Sequence, residues 1–288
     1  MVASLIQVLP DLDLLPPAFG YIVAGLFGAI VGSFLNVVIH RVPIRKSVVF
    51  PHSRCPICGH VIAFYDNIPV LSYIILGGKC RGCKTHISAR YPAVELLTAI
   101  LFLAVAWRDG AIVQTPFDMV FVAAILSLIF INAEYMILPD SITFPGLLFA
   151  LILRVVIPLL GSTYYFDNPL ASTSASLPLS LGLLMGGAIG ALVGGGLIWL
   201  FGFIWEKLRG VAIVGLGNVK MQFMVGAYLG WRLTLLSLAI AILIGLISLP
   251  LVMNRSNKLV LPSGVFLGAG AIAALLLGNH FLIWLGIA

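Results

Sequence analysis

Apolar stretches alternate with polar links along almost the whole chain. A transmembrane helix needs about 20 apolar residues in a row, and stretches near that length recur. Eight such stretches can be counted, at residues 17–39, 91–107, 119–133, 141–160, 178–204, 219–231, 233–252 and 261–287. The pattern therefore predicts an all-α polytopic membrane protein with about eight transmembrane helices, of which the sixth is the shortest.

Two longer polar segments interrupt this pattern. Residues 40–90 form a polar loop after the first stretch, and residues 161–177, rich in serine and threonine, are expected to form an exposed loop. The chain thus divides into an N-terminal segment with the first helix (1–39), the polar loop, and a transmembrane core (91–288). Residues 1–17 lack a basic region and carry two acids, so we do not expect a cleaved signal peptide.

The distribution of charge supports a membrane location and orients the helices. Only 9% of the residues are charged, against roughly 25% in an ordinary soluble domain. Of the 16 Lys and Arg, eight lie between Arg41 and Arg90, where Asp66 is the single acid. A basic block between apolar stretches is typical of a cytoplasmic loop, and we prefer this interpretation to nucleic-acid binding. An even number of helices then places both termini on the opposite side.

The four cysteines of the chain all lie in this basic loop, as two C-x-x-C pairs. They are Cys55, Cys58, Cys80 and Cys83. Two such pairs at this separation fit a tetrahedral thiolate site, and Gly59 and Gly82 are expected to supply the turns. Two disulfides or four free thiols are the alternatives, but a cytoplasmic loop disfavours disulfides. We predict a structural zinc, whose closed shell leaves no open position for catalysis.

Amide and carboxyl side chains at the membrane edge are costly to bury and are therefore functional candidates. Asn132 ends the third apolar stretch, and Asn218 opens the sixth after Gly215-Leu216-Gly217. By the predicted topology both lie at the cytoplasmic edge, where they can meet. Structural interpretations also exist, since Asn218 or Asp140 can cap its helix and Asn132 can bond a neighbouring helix.

Several motifs resemble those of the type IV prepilin peptidases, which are intramembrane aspartyl proteases of the GxGD type. The motifs are GSFLNVVIHRVP at 32–43, the two cysteine pairs, Asn67-Ile68-Pro69, RYPAVELL at 90–97, ILPDSITFP at 137–145 and GLGNVK at 215–220. They follow one another in the order and spacing of that family. The resemblance covers essentially the whole chain.

The resemblance implies an activity, a location and partners. The family removes the short basic leader of prepilins and related pseudopilins, cutting after a glycine at the cytoplasmic face. Many members then methylate the new amino terminus with S-adenosylmethionine. Such enzymes lie in the bacterial cytoplasmic membrane and serve type IV pilus assembly, type II secretion and competence. The implied partners are these substrates and membrane lipid, with no nucleic acid. Glu95 is a candidate for the S-adenosylmethionine side, with an ion pair to a loop arginine as the structural alternative.

Mapped position by position, the two catalytic aspartates of the family fall at Asn132 and Asn218, so this chain departs from the pattern at both. Two close carboxylates sharing one proton supply the base and the acid of an aspartyl protease. An amide of the same shape can donate a hydrogen bond but is no base near neutral pH. We therefore predict a chain that is almost inert as a peptidase. Two isosteric changes confined to the pair favour an engineered inactive variant over a natural inactive homologue.

Three other interpretations were weighed against this one. A site rearranged around Glu134 and Asp140 lacks a matching second carboxylate, because no acid follows Glu206. A membrane transporter would suit glycine-dense and broken helices, but the chain shows no internal repeat. A non-catalytic, pilin-binding assembly factor is the remaining alternative.

Overall fold

The computed structural model describes residues 17–110, 114–159, 179–211, 214–253, 262–284 and 286. Residues 1–16 of the N-terminal segment and the loop predicted at 161–177 lie outside the described residues. The described chain is helical, with two short antiparallel bridges in the polar loop, Arg54 with Val61 and Lys79 with His86.

Nine α-helices account for most of the described residues. They are α1 (Pro17–Arg41), α2 (Leu71–Ile75), α3 (Arg90–Asp109), α4 (Thr115–Tyr135), α5 (Asp140–Leu159), α6 (Leu179–Arg209), α7 (Leu216–Leu229), α8 (Trp231–Met253) and α9 (Ser263–Trp284). A 3₁₀ turn at Phe64–Asn67 precedes α2. Seven of these helices, all except α2 and α7, are long and apolar enough to cross a membrane. With the shorter α7, they confirm the predicted all-α polytopic membrane architecture.

The helix boundaries extend beyond the apolar stretches in several places. Helix α6 continues to Arg209, past the predicted end at Ile204, because its last turns carry polar and aromatic residues that a hydropathy count leaves out. Helix α7 begins at Leu216, within the Gly-Leu-Gly motif, and has 14 residues. At 1.5 Å per residue it spans about 21 Å, short of the roughly 30 Å hydrocarbon layer.

Contacts divide the chain into two compact units, one up to Ala123 and one from Ala124 onward. The first unit contains α1, the cysteine loop and α3. Glycines on α1 allow close packing, since a Cβ on Gly28 would lie 2.8 Å from the Ala99 Cα and one on Gly32 2.7 Å from the Glu95 Cα. In such packing small residues bring helix backbones together.

The second unit packs α5, α6, α8 and α9 around α7. Most side chains of α7 from Asn218 to Leu229 are buried. The neighbouring helices therefore cover this short helix. The glycine-dense face of α6 meets α7 directly, because a Cβ on Gly190 would overlap the Gly226 carbonyl oxygen and one on Gly226 the Gly190 carbonyl oxygen. These glycines therefore let the two helix backbones touch.

Candidate active site and metal centre

The four cysteine sulfurs converge in the first unit. All four Sγ atoms lie within 4.8 Å of one another, with Cys55 and Cys83 3.8 Å apart and Cys58 and Cys80 4.0 Å apart. Tetrahedral zinc with bonds of about 2.3 Å separates its sulfurs by about 3.8 Å. These distances exceed a disulfide bond of about 2.05 Å. The arrangement fits a four-coordinate metal ion.

Each cysteine pair sits on a tight turn of the same design. The Cys55 N–H donates to the His60 carbonyl and the Cys80 N–H to the Thr85 carbonyl, both at 2.9 Å. The residue after each pair has a positive φ, 70° at Gly59 and 58° at Lys84. The expectation for Gly82 is therefore wrong, because the left-handed position falls one residue after the second pair rather than inside it. Nothing at the sequence level distinguishes Lys84 from an ordinary turn residue.

The surroundings of Cys83 and Cys58 shift the pKa values of their thiols in opposite directions. Hydrogen bonds from the Thr85 hydroxyl and main chain lower the pKa of Cys83 to about 6. Although the His60 N–H lowers it, desolvation and the neighbouring sulfurs raise the pKa of Cys58 to about 11. Four thiolates this close repel one another unless a cation lies between them. The donor set thus suits zinc in a structural role.

An ion pair braces the second cysteine turn. Arg81 donates to both Asp66 carboxylate oxygens, at 2.8 and 2.6 Å. These hydrogen bonds lower the pKa of the Asp66 carboxyl and keep it ionised at neutral pH. The single acid of the basic loop thereby ties the 3₁₀ turn to the cysteine site.

In the second unit, Asn132 and Asn218 both lie against the first turn of α9. The Asn218 Nδ2 donates to the Ser263 hydroxyl at 2.9 Å. A Cβ on Gly264 would lie 2.8 Å from the Asn132 Cγ and Oδ1. Residues 86 positions apart in the sequence are thus brought to one turn.

Both asparagines are deeply buried, with 5% of Asn132 and 7% of Asn218 exposed. Across residues 17–284, with the undescribed gaps left aside, the Oδ1 atom of neither has a hydrogen-bond partner, which is uncommon for a buried polar atom. Helix α7 starts after Gly215, and Asn218 is its third residue. The N-cap interpretation of Asn218 is therefore wrong, since its side chain points to another helix.

The retained motif residues join the two segments that carry the pair. The Lys220 Nζ donates to both Asp140 carboxylate oxygens, at 2.8 and 2.9 Å. A Cβ on Gly217 would lie 3.0 Å from the Leu138 Cβ, so the glycine lets the two segments touch. Asp140 is thereby engaged by a lysine, and Glu134 is exposed. Of these candidates, the two asparagines are therefore the buried ones.

Glu95 lies in the first unit behind a cavity. Its carboxylate accepts the Val70 N–H at 2.7 Å and is also hydrogen-bonded to the Ser33 side chain, so the expected alternative, an ion pair with a loop arginine, is replaced by these partners. The cavity has a volume of about 370 Å³, and its lining includes Ser33, Arg41 and His52. Glu95 is thus linked to the cavity through its hydrogen bond with Ser33, which is part of the lining.

Arg154 is a polar residue that the sequence analysis missed. It is fully buried, and its guanidinium donates to the main-chain carbonyls of Ala227 at 2.7 Å, Leu183 at 3.1 Å and Tyr228 at 3.0 Å. Two of these carbonyls end α7, whose last carbonyls lack partners within the helix. A single arginine within the apolar run of α5 was the available signal, since charges at membrane depth are rare.

Comparisons with known proteins agree with these features. The profile described as the Bacterial Peptidase A24 N-terminal domain matches residues 26–109. A prepilin leader peptidase/N-methyltransferase of Pseudomonas putida is 32% identical, over 92% of this chain and 93% of that protein. One of Aeromonas hydrophila is 34% identical, over 90% and 91%.

A third relative of the same name, from Myxococcus xanthus, is 38% identical over 76% of this chain, which spans 59% of that protein. No solved structure shows significant similarity to the chain. The long alignments at more than 30% identity reach both units, the cysteine loop as well as the segments around Asn132 and Asn218. The chain belongs to the family of prepilin leader peptidases/N-methyltransferases.

Proposed function

We propose that the chain holds the family's peptidase site in a disabled form, and that it binds prepilins or pseudopilins without cleaving them. The observation that carries this proposal is the meeting of Asn132 and Asn218 at the first turn of α9. These are the two positions that correspond to the family's aspartates. They are buried together in the second unit, as a shared catalytic centre requires.

The chemistry explains why the pair binds better than it cuts. In an aspartyl protease one carboxylate takes a proton from water while the protonated partner donates to the peptide carbonyl. Asparagine can donate through Nδ2 and accept through Oδ1, but it cannot take up the proton. Loss of each acid–base role costs about 10²–10⁴-fold in rate. Hydrogen bonds to an extended substrate backbone remain available.

The substrate class follows from the family, and its orientation follows from the charge pattern. Cleavage after the glycine of a basic leader would place the site at the cytoplasmic face of the bacterial inner membrane. The Lys220–Asp140 pair would mark that face of the second unit. The apolar segment of the substrate would then lie in the bilayer, in contact with lipid and the helices.

The second activity belongs to the first unit in this proposal. S-adenosylmethionine supplies the methyl group, and the cavity beside Ser33 and Arg41 has the size of a small-molecule site. Glu95, held by the Val70 N–H, would act through Ser33 at the cavity wall. Zinc at the four cysteines would hold the loop that forms the other side, because a loop of this length has no core of its own.

Binding without cleavage can be tested with the present chain. The purified protein in detergent is mixed with a prepilin that keeps its basic leader, and both the retained and the cleaved substrate are measured. We expect intact prepilin to be retained, while a matched precursor without the leader is retained less. Equal retention of both precursors, or none of either, would contradict the proposed substrate class.

The methyl-transfer side needs a substrate that is already cleaved. A mature pilin peptide with a free amino terminus is incubated with methyl-labelled S-adenosylmethionine and the present chain. We expect label at the amino terminus, since Asn132 and Asn218 lie in the other unit, and a large loss of label in Glu95→Gln. Unchanged transfer by Glu95→Gln would remove that residue from the proposal.

A further inference from the structure

The first turn of α9 contributes two residues to the asparagine site that lie outside both aspartate motifs. Ser263 contacts the side chain at 218 through a hydrogen bond of 2.9 Å. Gly264 lies so close to the side chain at 132 that a Cβ would sit 2.8 Å from its Oδ1. One turn of one helix therefore touches both members of the pair.

The surroundings of this turn favour a polar or negatively charged group. The first N–H groups of an α-helix have no acceptor within the helix, and the helix dipole makes this end positive. Asn132, 5% exposed, presents here an Oδ1 that has no partner among the described residues. The Oδ1 of Asn218, in the same buried region, likewise lacks a partner within the part of the chain that the structure describes. Two buried amides at one helix N-terminus therefore mark a polar site at which negative charge is favoured.

We propose that the first turn of α9 is the third wall of the peptidase site, in which Ser263 orients the side chain at 218 and Gly264 leaves room for the side chain at 132. The proposal rests on the function proposed above. Ser263 is a positioning residue, since it touches the catalytic position rather than the reacting peptide. Gly264 sets the approach of the helix, because any side chain there would displace residue 132 from the pair.

The same contact has a definite effect when position 218 is an aspartate. The Ser263 hydroxyl can then donate to the carboxylate, and a hydrogen bond to a charged group is worth about 1.5–3 kcal/mol. This bond favours the ionised state at 218, and it leaves the carboxyl at 132 as the partner that carries the shared proton. Ser263 would thereby assign the base and the acid of the pair.

The test uses the full chain with Asn132→Asp and Asn218→Asp restored, and it adds Ser263→Ala, Ser263→Thr or Gly264→Ala. Leader cleavage is measured against pH. We expect Ser263→Ala to lower kcat about 10- to 100-fold with little change in KM. The acidic limb of its pH–rate profile should move to higher pH, because the carboxylate loses a donor.

Conservative variants separate positioning from mere folding. Ser263→Thr keeps the hydroxyl and should restore most of the rate and the original pH limb. Gly264→Ala should abolish cleavage, whereas Gly245→Ala on α8 should not, since a Cβ there meets only the Phe266 ring at 3.8 Å. Ser248→Ala, which removes a hydroxyl bonded within α8, is the control for loss of a hydroxyl. An unchanged rate and pH profile in Ser263→Ala would overturn the proposal.

The contact between Ser263 and Asn218 can be tested on the present chain without an activity assay. Asn218→Ala, Ser263→Ala and the double variant are compared by thermal unfolding in detergent. If the two side chains interact, the double variant loses less than the sum of the two single losses; additive losses would overturn the proposal. If the aspartate revertant fails to cleave, the proposed function fails. The coupling alone then decides whether Ser263 orients residue 218.

Discussion

Both units of this protein join distant segments of the chain, but they do so mainly through different contacts. In the first unit α1 and α3 also pack through glycines, but polar side chains hold the loop and its ends: the sulfurs converge within 4.8 Å, Arg81 pairs with Asp66, and the Asn36 Nδ2 donates to the Tyr91 carbonyl at 3.0 Å. The second unit joins its helices mostly through glycine, with main chains touching at Gly190 and Gly226.

The difference follows from the surroundings of each unit. A water-facing loop of about 50 residues cannot bury enough apolar surface to fold alone, so cross-links and ion pairs have to define it. Within a bilayer, lipid is as apolar as leucine, and helices associate by close van der Waals packing. The comparison therefore predicts that the first unit is sensitive to metal removal and the second to added methyl groups.

Metal removal should have the largest effect, and it should be confined to the first unit. A structural zinc contributes about 10–16 kcal/mol in small zinc domains, so chelation should unfold the cysteine loop. We expect rapid proteolysis of the loop and alkylation of all four thiols on addition of chelator. Added zinc should reverse both, while the helices of the second unit stay protected. Equal alkylation with and without zinc would contradict the metal site.

A methyl group in the α6–α7 contact should have the next largest effect. Gly190→Ala places a Cβ against the Gly226 carbonyl oxygen, and overpacking of this kind costs about 3 kcal/mol, the upper end of its usual range. Gly196→Ala on the same helix is the matched control, because, apart from the nearby backbone of α6 itself, no atom of the described residues lies within 4 Å of its added Cβ. Thermal unfolding in detergent measures both variants. Equal stability of the two would show that the backbones are not in contact.

Removal of the buried guanidinium should have the smallest of the three effects. Arg154→Met leaves the carbonyls of Ala227, Tyr228 and Leu183 without this donor. We expect a net loss of about 2 kcal/mol, because the cost of the lost hydrogen bonds is largely offset when the buried charge is removed and apolar contact is added. The stability of Arg154→Lys should fall between that of the parent and that of Arg154→Met, because lysine offers one ammonium group to three carbonyls. Thermal unfolding in detergent gives the order of stability of the three proteins. An Arg154→Met variant as stable as the parent would show that Arg154 does not cap the last carbonyls of α7.

The sequence predicted what depends on local pattern. Apolar runs of bilayer length located the helices, and the C-x-x-C spacing located the sulfurs, because both signals lie within short segments. The contacts of Ser263 and Gly264 could not be predicted, since serine and glycine are ordinary residues at a helix start and their partners are 45 and 132 positions away. The turn at Lys84 was missed for a related reason, because lysine is not a residue type that signals a positive φ.

The central claim is that Asn132 and Asn218 occupy the catalytic positions and disable the peptidase. The most direct test is the rate of leader cleavage by the chain with Asn132→Asp and Asn218→Asp, compared with the present chain under the same conditions. We predict cleavage after the leader glycine at a rate at least about 10²-fold above that of the present chain, and each single revertant should stay near the lower rate. A double revertant that does not cleave, or a present chain that cleaves as fast, would contradict the account.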